Sequence, residues 1–299
     1  MKRRPSAILA VVIWVCSAQG IAQVPETSLY VFRLTQDDTL RWHVHSPAMI
    51  SGWNPGRYTN QPEWIDNRSL LVSAQVAGET QNDIYHLDLR SNTVRRMTKT
   101  PESEFSPLVS PDEQHFSTIR QVHGDELDQQ VYIFPLNLDS PGEPVLTQIR
   151  NTGYHCWLNA NTLALYLVDD PPKLSLASVD DGTQRIYSSG IGRCLRRTTN
   201  GHLAYVHKYS DAFWFLKILD TESLRSDILI ETLHGKEDFA ISASGDYFMS
   251  SGSILYVFSP QKSPARWEPV YDLGVFGLQN ITRLAISKDN WIAIVDQKM

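Results

Sequence analysis

The sequence predicts an all-β protein: a six-bladed β-propeller of four-stranded blades, whose last blade is closed by both ends of the chain. Three observations lead to this prediction. Short runs with strand-like alternation come in groups of four, the groups recur about every 45 residues, and the two ends of the chain are complementary half-groups. Six such units use residues 23–299, so we expect a single propeller domain.

The repeat is clearest in the first two units. The first begins at Pro62 and the second at Pro107, which is 45 residues later. Each unit holds four short runs of alternating apolar residues, separated by turn residues. Weaker copies follow, and in the third unit Trp157 stands where the first unit has Trp64. No stretch shows sustained helical periodicity, so we expect no long helix.

The two ends of the chain supply the two halves of one blade. The sixth unit stops after two strand-like runs, the second of which is 291–295. The runs 28–34 and 39–44 resemble the third and fourth strands of a unit. Pairing the two ends would close the ring and protect the strand edges, which otherwise pair with other chains.

The first 22 residues have the organisation of a secretory signal peptide. Lys2, Arg3 and Arg4 precede the apolar run 7–16, and small residues follow it. The apolar run is too short to span a bilayer comfortably. We therefore expect cleavage after Ala22 and a periplasmic or secreted protein.

The whole chain is acidic, with 27 Lys and Arg residues against 33 Asp and Glu residues and a formal net charge of −6. That balance differs from the basic face that nucleic-acid binders usually carry. No stretch after the N-terminal segment approaches the roughly 18 apolar residues that a membrane span needs. We expect a monomer without a membrane span that does not bind nucleic acid. Its partner is expected to be an unknown protein, peptide or small polar ligand.

One segment carries a family resemblance. Residues 98–107, Thr-Lys-Thr-Pro-Glu-Ser-Glu-Phe-Ser-Pro, followed by Ser110, Pro111 and Asp112, resemble the WD40-like (PD40) repeat of TolB-like propellers. Glu113 stands where that repeat usually has glycine. The resemblance is strong in the first two units and rests on spacing elsewhere. It implies a stand-alone secreted propeller, without the N-terminal domain of TolB and without the hydrolase domain of dipeptidyl-peptidase relatives.

The sequence lacks the motifs that usually mark catalysis or a bound metal. It has no nucleophile elbow, no phosphate-binding glycine loop, no His-Glu-x-x-His and no Cys-x-x-Cys. His43 and His45 share one face of a predicted strand, but that strand is the outer edge of its blade. We therefore predict no catalytic residues, no metal and no cofactor. Whether Cys156 and Cys194, on neighbouring innermost strands, form a disulfide stays open.

Separate blades of a propeller converge where their innermost strands begin, at the mouth of the central channel. Polar and charged residues occupy these positions in all six units, and we expect them to bind a ligand there. Two arginines beside four acids favour a polar ligand, such as a zwitterion or a peptide terminus. In chain order the predicted binding residues are Tyr58, Asn60, Gln61, Glu102, Glu104, Tyr154, His155, Arg193, Glu237, Asp238, Thr282 and Arg283.

Three functions are compatible with these features. The favoured one is an exported binding module that holds a peptide, protein or small polar ligand at the channel mouth. The alternative is a metal-assisted lyase or hydrolase, because some related propellers hold a metal by His and Gln in the channel. Here His155 and Gln61 are the candidates for that role. The third is a scaffold that contacts partners through blade edges, and the fold alone does not choose among the three.

Overall fold

A computed structural model describes residues 24–122, 128–137 and 141–298. Within these ranges, 24 strands form six four-stranded antiparallel sheets, which are the six predicted blades. The predicted signal peptide and its cleavage site at Ala22 lie outside the described residues. A short 3-10 helix, Leu273–Phe276, follows the fifth blade. No helix in the described part of the chain is long and apolar enough to cross a bilayer.

The first three blades follow one another along the chain, each with its first strand facing the channel. Blade 1 consists of β3 (Thr59–Trp64), β4 (Ser69–Ala74), β5 (Asp83–Asp88) and β6 (Thr93–Arg96). Blade 2 consists of β7 (Ser103–Val109), β8 (His115–Gln121), β9 (Gln129–Pro135) and β10 (Glu143–Pro144). Blade 3 consists of β11 (Thr152–Asn159), β12 (Thr162–Leu167), β13 (Lys173–Ser178) and β14 (Gln184–Ser189).

The remaining blades complete the ring. Blade 4 consists of β15 (Ile191–Arg197), β16 (Leu203–Lys208), β17 (Trp214–Leu219) and β18 (Ser226–Glu231). Blade 5 consists of β19 (Ala240–Ile241), β20 (Tyr247–Ser251), β21 (Ile254–Phe258) and β22 (Trp267–Asp272). The closing blade consists, from the channel outwards, of β23 (Ile281–Ile286), β24 (Trp291–Gln297), β1 (Thr27–Gln36) and β2 (Trp42–Met49).

The closing blade confirms that both ends of the chain share one sheet. β1 pairs antiparallel with β24, with Leu29 opposite Val295. The run 28–34, predicted as the third strand of this blade, corresponds to β1. The run 39–44, predicted as the fourth strand, corresponds to β2, which begins at Trp42 and not at residue 39. The reason is the turn, in which Asp37 Oδ1 accepts hydrogen bonds from the backbone N–H groups of Thr39 and Arg41. Asp37 therefore acts as a turn residue.

The hydrophobic core lies between the blades. Six clusters of buried side chains occur in the described residues, one at each interface between neighbouring blades. Each blade lies between two others, so both faces of its inner strands are covered. Strands that carry apolar residues on both faces bury them against the two neighbouring blades. The blades are thus fixed as one ring, and the starts of their innermost strands are held at fixed positions around one mouth.

Glu113 occupies a turn position at which this type of repeat usually has glycine, and its backbone adopts a conformation that favours glycine. Its φ is +55°, in the left-handed region that favours glycine. The equivalent turn of blade 5 has Gly245 at a φ of +85°. The turn of blade 2 is held instead by Asp112, which accepts hydrogen bonds from Ser110 Oγ and the N–H of Gln114.

Cys156 and Cys194 are free and buried. Cys194 Sγ lies 3.2 Å from the carbonyl oxygen of Phe239, to which it donates. Burial raises the pKa of the Cys194 thiol to about 11 and that of Cys156 to about 12, so both thiols are protonated at neutral pH. His43 and His45 lie on β2, the outermost strand of its blade, as expected, and both are exposed.

Candidate functional site

The central channel holds a narrow cavity of about 50 Å³ below the face where the innermost strands begin, which we call the mouth face. Innermost strands of blades 1 to 4 and of the closing blade border it. The predicted residues among its lining are Gln61, Tyr154, His155, Arg193 and Arg283. The fold therefore brings together residues that are far apart in the sequence.

Arg283 spans the channel. Its Nη2 donates to the hydroxyl of Tyr154, 2.8 Å away, and its guanidinium lies 5.0 Å from the centre of the same ring. Its Nη1 lies 3.3 Å from Oδ2 of Asp238, whose Oδ1 accepts from the N–H of Leu284. The closing blade and blade 3 stand on opposite sides of the ring, so this contact bridges the channel. Only 13% of the Arg283 side chain is exposed, which identifies it as a buried paired cation.

Arg193 and Lys208 share one carboxylate at the mouth. Glu237 Oε1 lies 3.1 Å from Arg193 Nε, and its Oε2 lies 2.6 Å from Lys208 Nζ. Burial opposes the charge of Glu237, but Lys208 and Arg193 hold the pKa of Glu237 below its ordinary value. The Arg193 side chain is 37% exposed, so its guanidinium reaches solvent at the mouth.

Gly192 makes this arrangement possible. A Cβ atom added at Gly192 would lie 3.0 Å from the Cβ of Glu237 and 3.1 Å from that of Val206. Such contacts are tighter than ordinary packing allows. The glycine therefore lets the Glu237 loop approach the start of β15 and place its carboxylate against Arg193.

His155 is held by a hydroxyl from the neighbouring blade. Its Nε2 lies 2.6 Å from Ser117 Oγ, which also accepts a hydrogen bond from Trp157 Nε1 at 2.9 Å. Burial lowers the pKa of His155 to about 3, so the ring is neutral at physiological pH. Its Nδ1 is buried and has no hydrogen-bond partner among the described residues. Ser106 Oγ, on the same cavity, is likewise buried without a partner.

The other residues predicted at the mouth are mainly buried. Burial raises the pKa of Tyr58, and the nearby positive charges of Arg283 and Arg193 oppose this increase. Asn60 Oδ1 accepts from the N–H of Gln61, and Gln61 Oε1 accepts from the N–H of Ser106 in blade 2. Thr282 Oγ1 is buried and lacks a partner among the described residues.

Seven of the twelve predicted residues do not line the channel cavity, namely Tyr58, Asn60, Glu102, Glu104, Glu237, Asp238 and Thr282. Glu104 is fully buried, where it pairs with Arg120 Nε at 2.8 Å and accepts from Thr100 Oγ1 at 2.5 Å. It stands opposite Arg120 in the register of β7 and β8. The carboxylate of Glu104 is therefore enclosed by the protein and paired with a cation of its own blade. Glu102 lies one residue before β7 and is half-buried.

A half-buried ion pair that was not predicted from the sequence also crosses the channel. Glu63 of β3 and Arg196 of β15 lie 3.6 Å apart, and Arg196 Nη2 also donates to the carbonyl of Leu284 at 3.2 Å. Every innermost strand with more than two residues has an irregular register, as between Asn60 and Glu63. Such bulges re-aim side chains, so strict alternation could not identify these channel residues.

We expect the Glu63 carboxyl to make stability pH-dependent. Burial raises the pKa of Glu63 from 4.5 to about 7, against the opposing charge of Arg196. The folded protein therefore binds the proton more tightly than the unfolded chain, and this stabilisation is present below pH 4.5 and lost as pH rises through about 7. Glu63→Gln mimics the protonated form. It should exceed the wild type in free energy of unfolding at pH 8 by about 3 kcal/mol, because one pKa unit corresponds to about 1.4 kcal/mol.

Chemical denaturation of both proteins at pH 4.5 and pH 8 measures this difference. The gap between Glu63→Gln and wild type should close at the lower pH, which is the ordinary pKa of the carboxyl. Glu113→Gln, at a side chain that is 72% exposed, is the matched control and should show no pH-dependent gap. An equal gap at both pH values for Glu63→Gln would contradict the proton linkage.

No group of three or more His, Cys, Asp or Glu side chains in the described ranges is arranged to hold a metal ion. Each of the two residues considered for that role has one polar atom engaged, whereas Nδ1 of His155 has no partner among the described residues. Gln61 Oε1 accepts from a backbone N–H and His155 Nε2 contacts Ser117.

Comparison with solved structures places this fold among known propellers. A putative TolB from Agrobacterium tumefaciens matches with a TM-score of 0.67 and 11% identity, over 92% of this chain and 99% of that one. TolB from Acinetobacter baumannii matches with a TM-score of 0.59 and 15% identity, over 91% of this chain and 64% of that one. This chain thus spans slightly less than two thirds of the second protein.

An oligogalacturonate lyase from Vibrio parahaemolyticus matches with a TM-score of 0.50 and 10% identity, over 91% of this chain and 98% of that one. No protein-family model matches the sequence, and no curated protein is similar to it at a significant level. At these identities the likeness concerns the fold and not the chemistry. The fold of this chain is that of a TolB-like six-bladed β-propeller.

Proposed function

We propose that this chain is an exported binding module that holds a polar group of a peptide, protein or small ligand at the channel mouth. One observation carries the proposal: charged and phenolic groups from separate blades meet at one mouth, above a cavity with unpartnered buried polar atoms. The groups come from blades 1, 3, 4 and 5 and from the closing blade, and they are Tyr58, Tyr154, Arg193, Lys208, Glu237, Asp238 and Arg283.

The size of the cavity limits what enters it. A water needs roughly 15 Å³ of such space, so 50 Å³ admits a few waters or one small polar group. The body of the ligand therefore lies over the mouth face. This geometry supports a partner that inserts one terminal group into the cavity, and it disfavours a ligand that enters the channel completely.

The charge balance favours a carboxylate as the inserted group. Three cations at the mouth, Arg193, Lys208 and Arg283, face two carboxylates. Guanidinium groups bind carboxylates with strong charge-assisted hydrogen bonds. A neutral His155 and the Ser106 hydroxyl add buried hydrogen-bonding atoms without partners.

Titration calorimetry with two probes tests the proposal: a tripeptide with a free C-terminal carboxylate and the same tripeptide as its amide. We expect the acid to bind and Arg193→Gln to weaken it at least about tenfold, or 1.4 kcal/mol. Because Arg193 is 37% exposed, the melting temperature should change little. Arg225→Gln, an exposed arginine in a turn of blade 4, is the control and should leave binding unchanged. Equal binding of acid and amide, or no binding at millimolar peptide, would overturn the proposal.

Export has its own test. The order of basic, apolar and small residues in 2–22 predicts that the exported protein begins at Gln23. N-terminal sequencing of protein recovered outside the cytoplasm measures this. Replacing Ala22 with a bulky residue should block or shift cleavage, whereas replacing Gln19 should not. An intact Met1 on the exported protein would show that the segment is not a cleaved signal.

A further inference from the structure

A second cavity, far larger than the channel cavity, lies on the outside of the ring between the closing blade and blade 1. Its volume is about 1040 Å³, and we call it the rim groove. One wall is the end of β2 and the loop that follows it, residues 46–53. The other wall is formed by the end of β5, the turn after it and the start of β6, residues 87–94.

The rim groove is an uncovered continuation of the hydrophobic core. The cluster between these two blades includes the fully or almost fully buried side chains Leu29, Val31 and Leu87. Further out, Ile50, Trp53, Leu89 and Trp291 pack against that cluster and are only partly buried. At the opening, Met49 is 55% exposed on one wall and Val94 is 40% exposed on the other. Apolar surface arranged in this way commonly marks an interaction site.

Two polar features of the groove lack partners. The indole Nε1 of Trp53 is buried and donates no hydrogen bond within the described part of the chain. Arg68 and Arg90 line the groove, and neither forms an ion pair with a described residue. Asp88 is the one carboxylate among the lining residues, and it already accepts from the N–H groups of Arg90 and Ser91. The groove thus offers an apolar floor, one buried donor and two unpaired cations.

We propose that the rim groove binds a short peptide segment of a partner protein that carries apolar side chains and an acidic residue. The apolar side chains cover the exposed core, and a carboxylate pairs with Arg68 and Arg90. The peptide carbonyls supply the acceptor that the Trp53 indole requires, and a lipid hydrocarbon chain has none. The volume matches clefts that hold ligands of a few residues. This binding is separate from the channel mouth and does not depend on the function proposed for it.

Fluorescence anisotropy with a labelled hexapeptide amide, Leu-Phe-Val-Leu-Asp-Asp-NH2, tests this proposal on the full chain after the predicted signal peptide; the amide removes the terminal carboxylate that the channel mouth is proposed to bind. Two matched peptides end in Asn-Asn and in Lys-Lys. We expect the acidic peptide to bind at least tenfold more tightly than either. Arg68→Gln with Arg90→Gln should reduce that affinity at least tenfold, and so should Met49→Ser with Val94→Ser.

Matched controls separate the groove from general surface effects. Ile186→Ser removes an apolar side chain of similar exposure (47%) from the outermost strand of blade 3 and should leave binding unchanged. Arg225→Gln and the mouth variant Arg193→Gln should also bind normally, which distinguishes this site from the channel. Circular dichroism and melting curves confirm that each variant is folded. The proposal is overturned if no peptide binds at millimolar concentration, or if the three peptides bind with equal affinity. It is also overturned if Ile186→Ser loses as much peptide affinity as the groove variants do, or if the protein binds phosphatidylglycerol vesicles and not the acidic peptide.

Discussion

Deleting residues 24–49 should abolish cooperative unfolding, even though the remaining chain keeps five complete blades. The deletion removes β1 and β2, the two outer strands of the closing blade. It removes Leu29, Phe32 and Leu34, which are at most 1% exposed, and Trp42, which is 6% exposed. At about 2 kcal/mol or more for each buried side chain, the loss is about 10 kcal/mol with the hydrogen bonds of the two strands added. That is comparable to the whole stability of an ordinary domain.

The deletion also creates a new strand edge. β24 pairs with β1 along its whole length, from Trp291 opposite Arg33 to Gln297 opposite Thr27. Without β1, its backbone N–H and C=O groups are left open to pairing with another chain. We therefore expect aggregation on size-exclusion chromatography and loss of a single melting transition.

A circular permutant is the control for disturbing the termini. The backbone N–H of Lys298 donates to the carbonyl of Glu26 at 3.1 Å, so a short Gly-Ser linker can join the two ends. New ends can be opened in the exposed turn 180–182 between β13 and β14. The permutant keeps every strand and should melt within a few degrees of the wild type. An unchanged melting midpoint for the deletion variant itself would show that the closure is not required for stability.

The sequence predicted the ring because the repeat is encoded locally. Alternating apolar runs, turn residues and the two complementary ends are all visible without tertiary information, and the observed strands confirm the six blades. The observed strand boundaries differ from the predicted ones where a side chain controls a turn, as Asp37 does in the turn before β2. The departure from glycine at Glu113 was also visible in the sequence, and its left-handed φ explains why glycine is usual there.

Side-chain directions near the channel were harder to predict. The innermost strands contain bulges, so a residue's position in the sequence does not fix which way it faces. Glu63 and Arg196 therefore went unnoticed although they cross the channel. Glu104 was assigned to the mouth because it lies near the start of its strand, whereas its direct register partner is Arg120. Cross-strand partners of this kind come from the fold and not from a single segment.

Arg120→Met should destabilise the protein by about 3–5 kcal/mol, because it leaves a buried carboxylate without its cation. Glu104 has no exposed surface, and Arg120 is 11% exposed, with its guanidinium 4.0 Å from the centre of the Tyr132 ring. Burial already raises the pKa of Glu104, and losing Arg120 removes a group that lowers it. The variant should therefore lose more stability at pH 8 than at pH 5, because at low pH Glu104 takes up a proton and is no longer charged.

The double variant Glu104→Gln with Arg120→Met separates an unpaired charge from lost packing. It removes both charges, so it should recover most of the free energy of unfolding that Arg120→Met loses at pH 8. Lys173→Met breaks an exposed pair with Asp169, in which the side chains are 40% and 47% exposed, and should change stability by no more than about 0.5 kcal/mol. Urea denaturation of the four proteins at both pH values provides the comparison. If Arg120→Met and the double variant are equally unstable at pH 8, the loss comes from the packing of Arg120 against Tyr132, and the buried carboxylate is not its cause.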